Sequence, residues 1–314
     1  MTSRRSFLAA AASASTVGVL SAARQRIGIS RISAITDEIS RSSQAAVDFA
    51  KQYGLRWVEL RNVPGVRKEY IYLTEQELMD EARLLRQNKI GVSFLNSSLM
   101  KVTIPGLEPV RWEADLKAGK TTQEKLDARR KQDAIRFDRR LEDLRKALRA
   151  AQILEVDKLR VFTGWRAADP KAAMPQVASI LNEMASIAEK QKIHLLIENE
   201  AACNIGTSAE LADILKLVPS KYVGLNWDPL NAFHLKERPF PEGYEMLPIK
   251  RIGNVQIKGK SILPGSEQLD WRAIFDRLEK DGYKGQVGLE THIFGEIQIQ
   301  ASHDSMKEIV KLVA

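Results

Sequence analysis

The chain has 314 residues, 44% of them hydrophobic and 28% charged, with a formal net charge of +8. This composition excludes a disordered or fibrous polypeptide and provides enough apolar side chains for one barrel-sized domain or two ordinary ones. The single cysteine, Cys203, excludes an internal disulfide framework, and basic runs such as Arg129-Arg130-Lys131 are interspersed with acids, which reads as a solvated helix face and not a nucleic-acid patch.

Residues 1–23 stand apart. Ser3-Arg4-Arg5-Ser6-Phe7-Leu8 precedes an uncharged, Ala-rich stretch that ends in the small residues Ser21 and Ala23. This layout resembles a twin-arginine export signal, so the expected domains are a signal over 1–23 and a mature domain over 24–314. Loss of Arg4 and Arg5 would take the charge from +8 to +6. The other reading, a chance basic pair before a membrane anchor, meets a stretch rich in Ala, Ser and Thr and shorter than the roughly 20 residues a spanning helix needs. The expected location is therefore the periplasm or beyond, with no stable membrane anchoring after cleavage. Twin-arginine export moves folded proteins, which suits a protein that acquires a cofactor in the cytoplasm.

From there strand-like and helix-like segments alternate. Residues 31–36 lead to a helix with Ala46, Phe49, Ala50 and Tyr53 on one face, closed by Gly54. Strand 56–61, a helix over 75–87 and strand 90–95 follow. A polar segment over 101–133 is too long for an ordinary connection; it follows a strand, so it projects over the strands' carboxyl rim either as a substrate lid or as a surface excursion. A helix bearing Leu141, Leu144 and Leu148 leads to strand 158–163, and the next helix aligns Val177, Ile180, Leu181, Met184 and Ala188. Three more short apolar runs, 193–197, 222–227 and 252–257, are interleaved with weaker helical stretches. A helix with Trp271, Ile274, Phe275 and Leu278 precedes the last run, 286–289, and Met306, Ile309, Val310 and Val313 mark a closing helix.

About eight strand–helix units are the number that closes a (β/α)8 TIM barrel, an α/β fold. An open doubly wound sheet would also alternate, but it should show a glycine-rich phosphate turn after an early strand, and none is visible.

Glu198, Asp228 and Glu290 each sit where an apolar run ends, and Gln256 lies near the end of a fourth. In a parallel barrel these ends share one rim. Three converging carboxylates and an amide oxygen repel one another unless a cation is present, which points to a divalent metal site. The competing reading is an ion-pair network with Arg61, Arg160 and Lys258.

Thr36-Asp37-Glu38-Ile39, Val58-Glu59-Leu60-Arg61, Leu196-Ile197-Glu198-Asn199, Gly224-Leu225-Asn226-Trp227-Asp228-Pro229-Leu230-Asn231, Asn254-Val255-Gln256-Ile257-Lys258 and Gly288-Leu289-Glu290-Thr291-His292, in that order, resemble the xylose isomerase-like barrel superfamily. They look most like its sugar phosphate isomerase/epimerase branch. The resemblance implies one divalent metal held by Glu198, Asp228, Glu290 and the seventh-strand position, where Gln256 replaces the family's His. An amide oxygen favours Mn²⁺ or Mg²⁺ over Zn²⁺ or Co²⁺, although either of the latter could bind. Asn231 stands where members often have a substrate-contacting His, Gly259 replaces an Asp, and Asn204 occupies the place of a further Glu found in some epimerases.

The resemblance implies a metal-dependent isomerase or epimerase of a sugar or keto-sugar derivative, acting by proton abstraction beside a polarised carbonyl through an enediolate. Glu198 and Glu290 would be the acid/base pair, and Lys258, Asn231, Glu200 and His292 the substrate contacts. Trp227 and Trp165 would either stack on a sugar or pack the core, and His194 reads as structural. Two alternatives share the scaffold: a lyase that breaks keto-glycosides by β-elimination, and a non-catalytic sugar-binding barrel. The expected partner is a small-molecule sugar, with no nucleic acid, and an oligomer is possible. A DNA-repair endonuclease needs a histidine-rich zinc cluster, and the chain has four His.

Overall fold

The computed structural model describes residues 26–265 and 269–314. Residues 1–23, read above as an export signal, lie outside that range, as does the boundary proposed after them.

Eight parallel strands follow one another around a barrel. They are β1 (Ile32–Ala34), β2 (Trp57–Leu60), β3 (Gly91–Leu95), β4 (Lys158–Val161), β5 (His194–Glu198), β6 (Val223–Trp227), β7 (Ile252–Lys258) and β8 (Gln286–Glu290). The ladder runs β1-β8-β7-β6-β5-β4-β3-β2, and a single parallel bridge between Ile35 and Glu59 joins β1 to β2. Every connection passes through helix, so each strand's carboxyl end faces the same rim.

The strands alternate more cleanly than short apolar runs suggest. Leu195, Ile197, Val223, Leu225, Trp227, Val255, Ile257, Val287 and Leu289 belong to the apolar cluster that joins sheet to helices. The helix Pro170–Lys190 contributes Val177, Leu181, Met184 and Ala188 to it, and the helix Trp271–Lys280 contributes Trp271, Ile274, Phe275 and Leu278. Many of the alternate positions are polar and fully or nearly fully buried, namely Ser33, Glu59, Arg160, Glu198, Asn226, Asn254, Gln256, Lys258 and Glu290, while Leu196 on β5 is buried and apolar. A polar barrel interior folds only if its members satisfy one another, so this array is where sequence has been spent on something other than stability.

Glu59 shows how. Ser33 Oγ and Asn254 Nδ2 donate to its Oε1 at 2.9 and 3.2 Å, and Asn96 Nδ2 and Gln256 Nε2 donate to its Oε2, each at 2.8 Å. Burial pushes its pKa up and the four hydrogen bonds oppose that. Room for the carboxylate comes from Gly288 on β8, where a Cβ would overlap Glu59 Oε1.

The polar segment over 101–133 is largely helical. It forms the helix Val110–Lys117 and most of the helix Gln123–Asp138. Its sequence shows no clear stripe because it docks by polar contacts: buried Asp133 Oδ2 accepts from Thr103 N and Oγ1, both at 2.9 Å, and from Trp165 Nε1 at 2.7 Å.

Candidate metal centre and substrate pocket

Glu198 and Glu290 are the last residues of β5 and β8. Asp228 follows β6 and caps the helix Pro229–His234, with Oδ1 accepting from Asn231 N at 3.0 Å. That cap leaves Oδ2 for the barrel axis. Asn199, one residue past β5, clamps the Asp228 peptide: its Oδ1 accepts from Asp228 N at 2.8 Å and its Nδ2 donates to Asp228 O at 2.7 Å. One oxygen from each of Glu198, Asp228 and Glu290 lies within 4.8 Å of the others, and all three residues are buried.

Gln256 joins them through its orientation. Its Nε2 is committed to Glu59, and its Oε1 is buried with no hydrogen-bond partner. Asp228 Oδ2 and Glu290 Oε2 are also buried without one. Glu198 Oε2 accepts from Arg160 Nη1 at 2.9 Å and Asn226 Nδ2 at 2.7 Å, and Asn226 Oδ1 in turn accepts from Asn254 Nδ2 at 3.0 Å. Through Asn254 the Glu198 side of the site is therefore tied to the same Glu59 that orients Gln256.

The ion-pair network weighed as the competing reading is also present, and it surrounds the carboxylates. Lys258 Nζ lies 3.1 Å from Asp228 Oδ2, an ion pair outside hydrogen-bond geometry, and 3.8 Å from Glu290 Oε2. Arg61 meets Asp37 and Glu38 at 2.9 Å each and Glu290 at 3.3 Å. Charge counting separates the readings. With every carboxyl ionised and His292 neutral, Asp37, Glu38, Glu198, Glu200, Asp228 and Glu290 face Arg61, Lys101, Arg160 and Lys258, an excess of two negative charges before Glu59 is counted. The acidities are set by burial and by the nearest charges. Burial pushes Asp228 up to about 7, with Glu290 and Glu198 adding to the rise and Lys258 opposing it. Glu38 is raised by burial against Arg61. Glu290 is held well below the usual carboxylate range despite burial, by Lys258, His292 and Arg160. Three buried acceptors without hydrogen bonds, and carboxylates that outnumber the cations by two once all are ionised, fit one divalent cation.

The expected substrate contacts divide. Lys258 lies at the centre of the site, and its pKa is raised because Asp228, Glu290, Glu200 and Glu198 outweigh burial, so it stays protonated. Asn231 spends both ends of its side chain within the protein, Oδ1 accepting from Lys258 Nζ at 2.7 Å and Nδ2 donating to Asn199 O at 2.8 Å. It orients the lysine. Glu200 pairs with Lys101 at 2.9 Å. Its pKa falls to about 2, because Lys101 and Lys258 outweigh burial. His292 is 43% exposed, with Nδ1 3.7 Å from Glu290 Oε1. Trp227 is wholly buried and packs the core, whereas Trp165 lines a pocket of about 360 Å³ together with Lys101, Glu200 and His292.

Gly259 and Asn204, two departures from the pattern the sequence resembles, each have a local structural role. A side chain at Gly259 would meet Thr291 O at 2.9 Å. Asn204 pins the loop after β5, its Oδ1 accepting from Ala167 N and its Nδ2 donating to Thr163 O, both at 2.9 Å.

The xylose isomerase-like TIM barrel family matches residues 47–310. The chain belongs to this family. No curated protein shows significant sequence similarity to it. Among solved structures, the IOLI protein with a bound zinc atom superposes at a TM-score of 0.66 and 15% identity, over 90% of this chain and 98% of that one. The 3-keto-D-glucoside 4-epimerase YcjR from E. coli, in its apo form, gives 0.65 and 14% over the same shares of the two chains. D-psicose 3-epimerase in the presence of D-fructose gives 0.62 and 14%, over 90% of this chain and all of that one. At these identities the likeness to the three structures is one of fold.

Sequence reasoning passed over Glu38, Glu59, Asn226 and Asn254 as parts of the site. Asn226, Asn254 and Gln256 did carry a signal, as amides at alternate positions on neighbouring strands.

Proposed function

We propose that this xylose isomerase-like barrel is a divalent-metal-dependent isomerase or epimerase of a sugar or keto-sugar derivative, acting outside the cytoplasm. The observation that carries the reading is the set of acceptors Asp228 Oδ2, Gln256 Oε1 and Glu290 Oε2, buried without hydrogen-bond partners beside Glu198 at the carboxyl rim, where carboxylates outnumber cations. A bound divalent ion supplies Lewis acidity there, drawing electron density from a carbonyl and acidifying the neighbouring C–H. Solved members of the same fold carry zinc or act on keto-sugars and ketoses, which supports the reading.

The protein's own residues supply the rest. Glu198 and Glu290 come from strands three places apart in the ring of eight, so they approach a substrate on the axis from different sides. Such a pair can take a proton from carbon on one face and return it on the other. Lys258, kept protonated and aimed by Asn231, donates to the oxygen on which charge develops. Arg160 and Asn226 hold Glu198 in one rotamer, and Arg61 steadies Glu290.

The test is a screen of the manganese-loaded protein against ketoses and keto-glycosides in D₂O, followed by mass spectrometry. Deuterium entering at one carbon, with or without net conversion, supports the reading. Release of the β-substituent would replace it with the lyase, and no exchange in any substrate that demonstrably binds would overturn it in favour of a sugar-binding barrel.

A further inference from the structure

The pocket of about 360 Å³ beside the metal centre is walled on one side by the inserted helices, through Arg111 and Arg129, and on the other by Glu200 and His292. Four cations line it, and three have acidic partners. Lys101 pairs with Glu200 at 2.9 Å, Arg111 with Asp115 at 3.3 Å and Arg166 with Glu210 at 2.7 Å. Arg129 has no carboxylate partner among the described residues. Its guanidinium carbon lies 4.8 Å from the centre of the Trp165 ring and 5.1 Å from that of Trp112. Both indoles are fixed, Trp165 by its hydrogen bond to buried Asp133 and Trp112 by being only 3% exposed. An arginine held by its faces keeps its N–H edges available for a planar or tetrahedral oxyanion. Its neighbour Arg130 also lies over Trp112, at 5.6 Å, but does not line the pocket and is paired with Glu108 and Asp127.

We propose that this pocket is the subsite for the end of the substrate remote from the metal, and that Arg129 makes it select a substrate carrying an anionic group there, a carboxylate or a phosphate. The proposal rests on the isomerase reading for the position of the reacting end. His292 connects the two, since it lines the pocket and lies 3.7 Å from the ligand Glu290. Lys101 and Arg166 are neutralised within the protein, so the uncompensated charge left for a ligand is that of Arg129.

The experiment is calorimetric titration of the manganese-loaded protein with D-fructose, D-fructuronate and D-fructose 6-phosphate, in the wild type and in the variants Arg129→Gln, Arg129→Lys and Arg130→Gln. At least one anionic ligand should bind about tenfold or more tightly than fructose, as a charge-assisted hydrogen bond to an unpaired guanidinium implies. Comparison of the two acids then identifies the group. Arg129→Gln should remove the preference, Arg129→Lys should retain part of it, and Arg130→Gln should leave it intact. Equal binding of neutral and anionic sugars to the wild type, or a preference that survives Arg129→Gln because the carboxylate sits on the metal, would overturn the subsite. The two readings fail separately: deuterium exchange with no anion preference removes the subsite alone, whereas an Arg129-dependent preference without exchange removes the isomerase alone.

Discussion

Asp228 should make metal binding pH-dependent across neutrality, and the size of the effect follows from its surroundings. In the metal-free protein burial raises its carboxyl from 3.8 to about 7, with Glu290 and Glu198 nearby. A cation binds the ionised form only, so proton and metal compete. Between pH 8 and pH 6 the ionised share falls from about nine-tenths to about one-tenth, so the apparent affinity should fall about tenfold, or ~1.4 kcal/mol. Glu290, held far below this window, and Lys258, held above it, add nothing. The sign for stability follows from linkage. A folded-state pKa raised above the unfolded value stabilises the metal-free protein at low pH, and that contribution is lost as pH rises through about 7. The rise in Tm on adding Mn²⁺ should therefore be larger at pH 8 than at pH 6. Calorimetry in two buffers of different ionisation enthalpy should count close to one proton released per metal at pH 6 and close to none at pH 8. In Asp228→Asn, which does not titrate, this dependence should vanish while overall affinity drops. Proton release that is absent at pH 6, or that persists unchanged in Asp228→Asn, would refute the assignment of Asp228 as the ligand that charges on binding.

Other expectations test the remaining parts. Glu290→Gln should keep turnover low even with metal saturating, because an amide coordinates but cannot take a proton at neutral pH, whereas excess metal should partly rescue Asp228→Asn; equal rescue of both would make Glu290 a ligand only. Gln256→His should raise affinity for Zn²⁺ or Co²⁺ relative to Mn²⁺ in competition titrations, and an unchanged ratio would remove Gln256 from the ligand set. Glu59→Gln turns an NH₂ group toward two of the four donors, so thermal or denaturant melts should show a loss of about 1–3 kcal/mol, with weaker metal binding from a misoriented Gln256; a neutral result on both counts would dissolve the link between β2 and the site. Replacing Arg4 and Arg5 by lysine should leave precursor in the cytoplasm, and undiminished export would end the twin-arginine reading.

How much of this was legible in sequence depended on the range of the interaction. Strand and helix positions are written in local periodicity. The helix Glu75–Gln87 has its residues and its Thr74–Glu77 capping box adjacent in the chain, and the carboxylates at the strand ends need only the rule that parallel strands share a rim. The insertion was less legible, because the helix Gln123–Asp138 buries little beyond Leu126 and Asp133 and so leaves no apolar stripe to read.

Sequence by itself determined the barrel, its metal-ligand candidates and the position of each on a strand end. Tertiary structure alone decided how those residues are oriented and paired. Gln256 offers its oxygen to the axis because Glu59, 197 positions away on β2, takes its nitrogen, and Asn231 serves Lys258 because a helix cap places it there. Arg129 lies against two tryptophans and has no carboxylate partner among the described residues, whereas each other cation of its pocket is paired with an acid. Hydrogen-bond direction and charge balance belong to groups assembled from many strands, and neither exists until the chain has closed its ring.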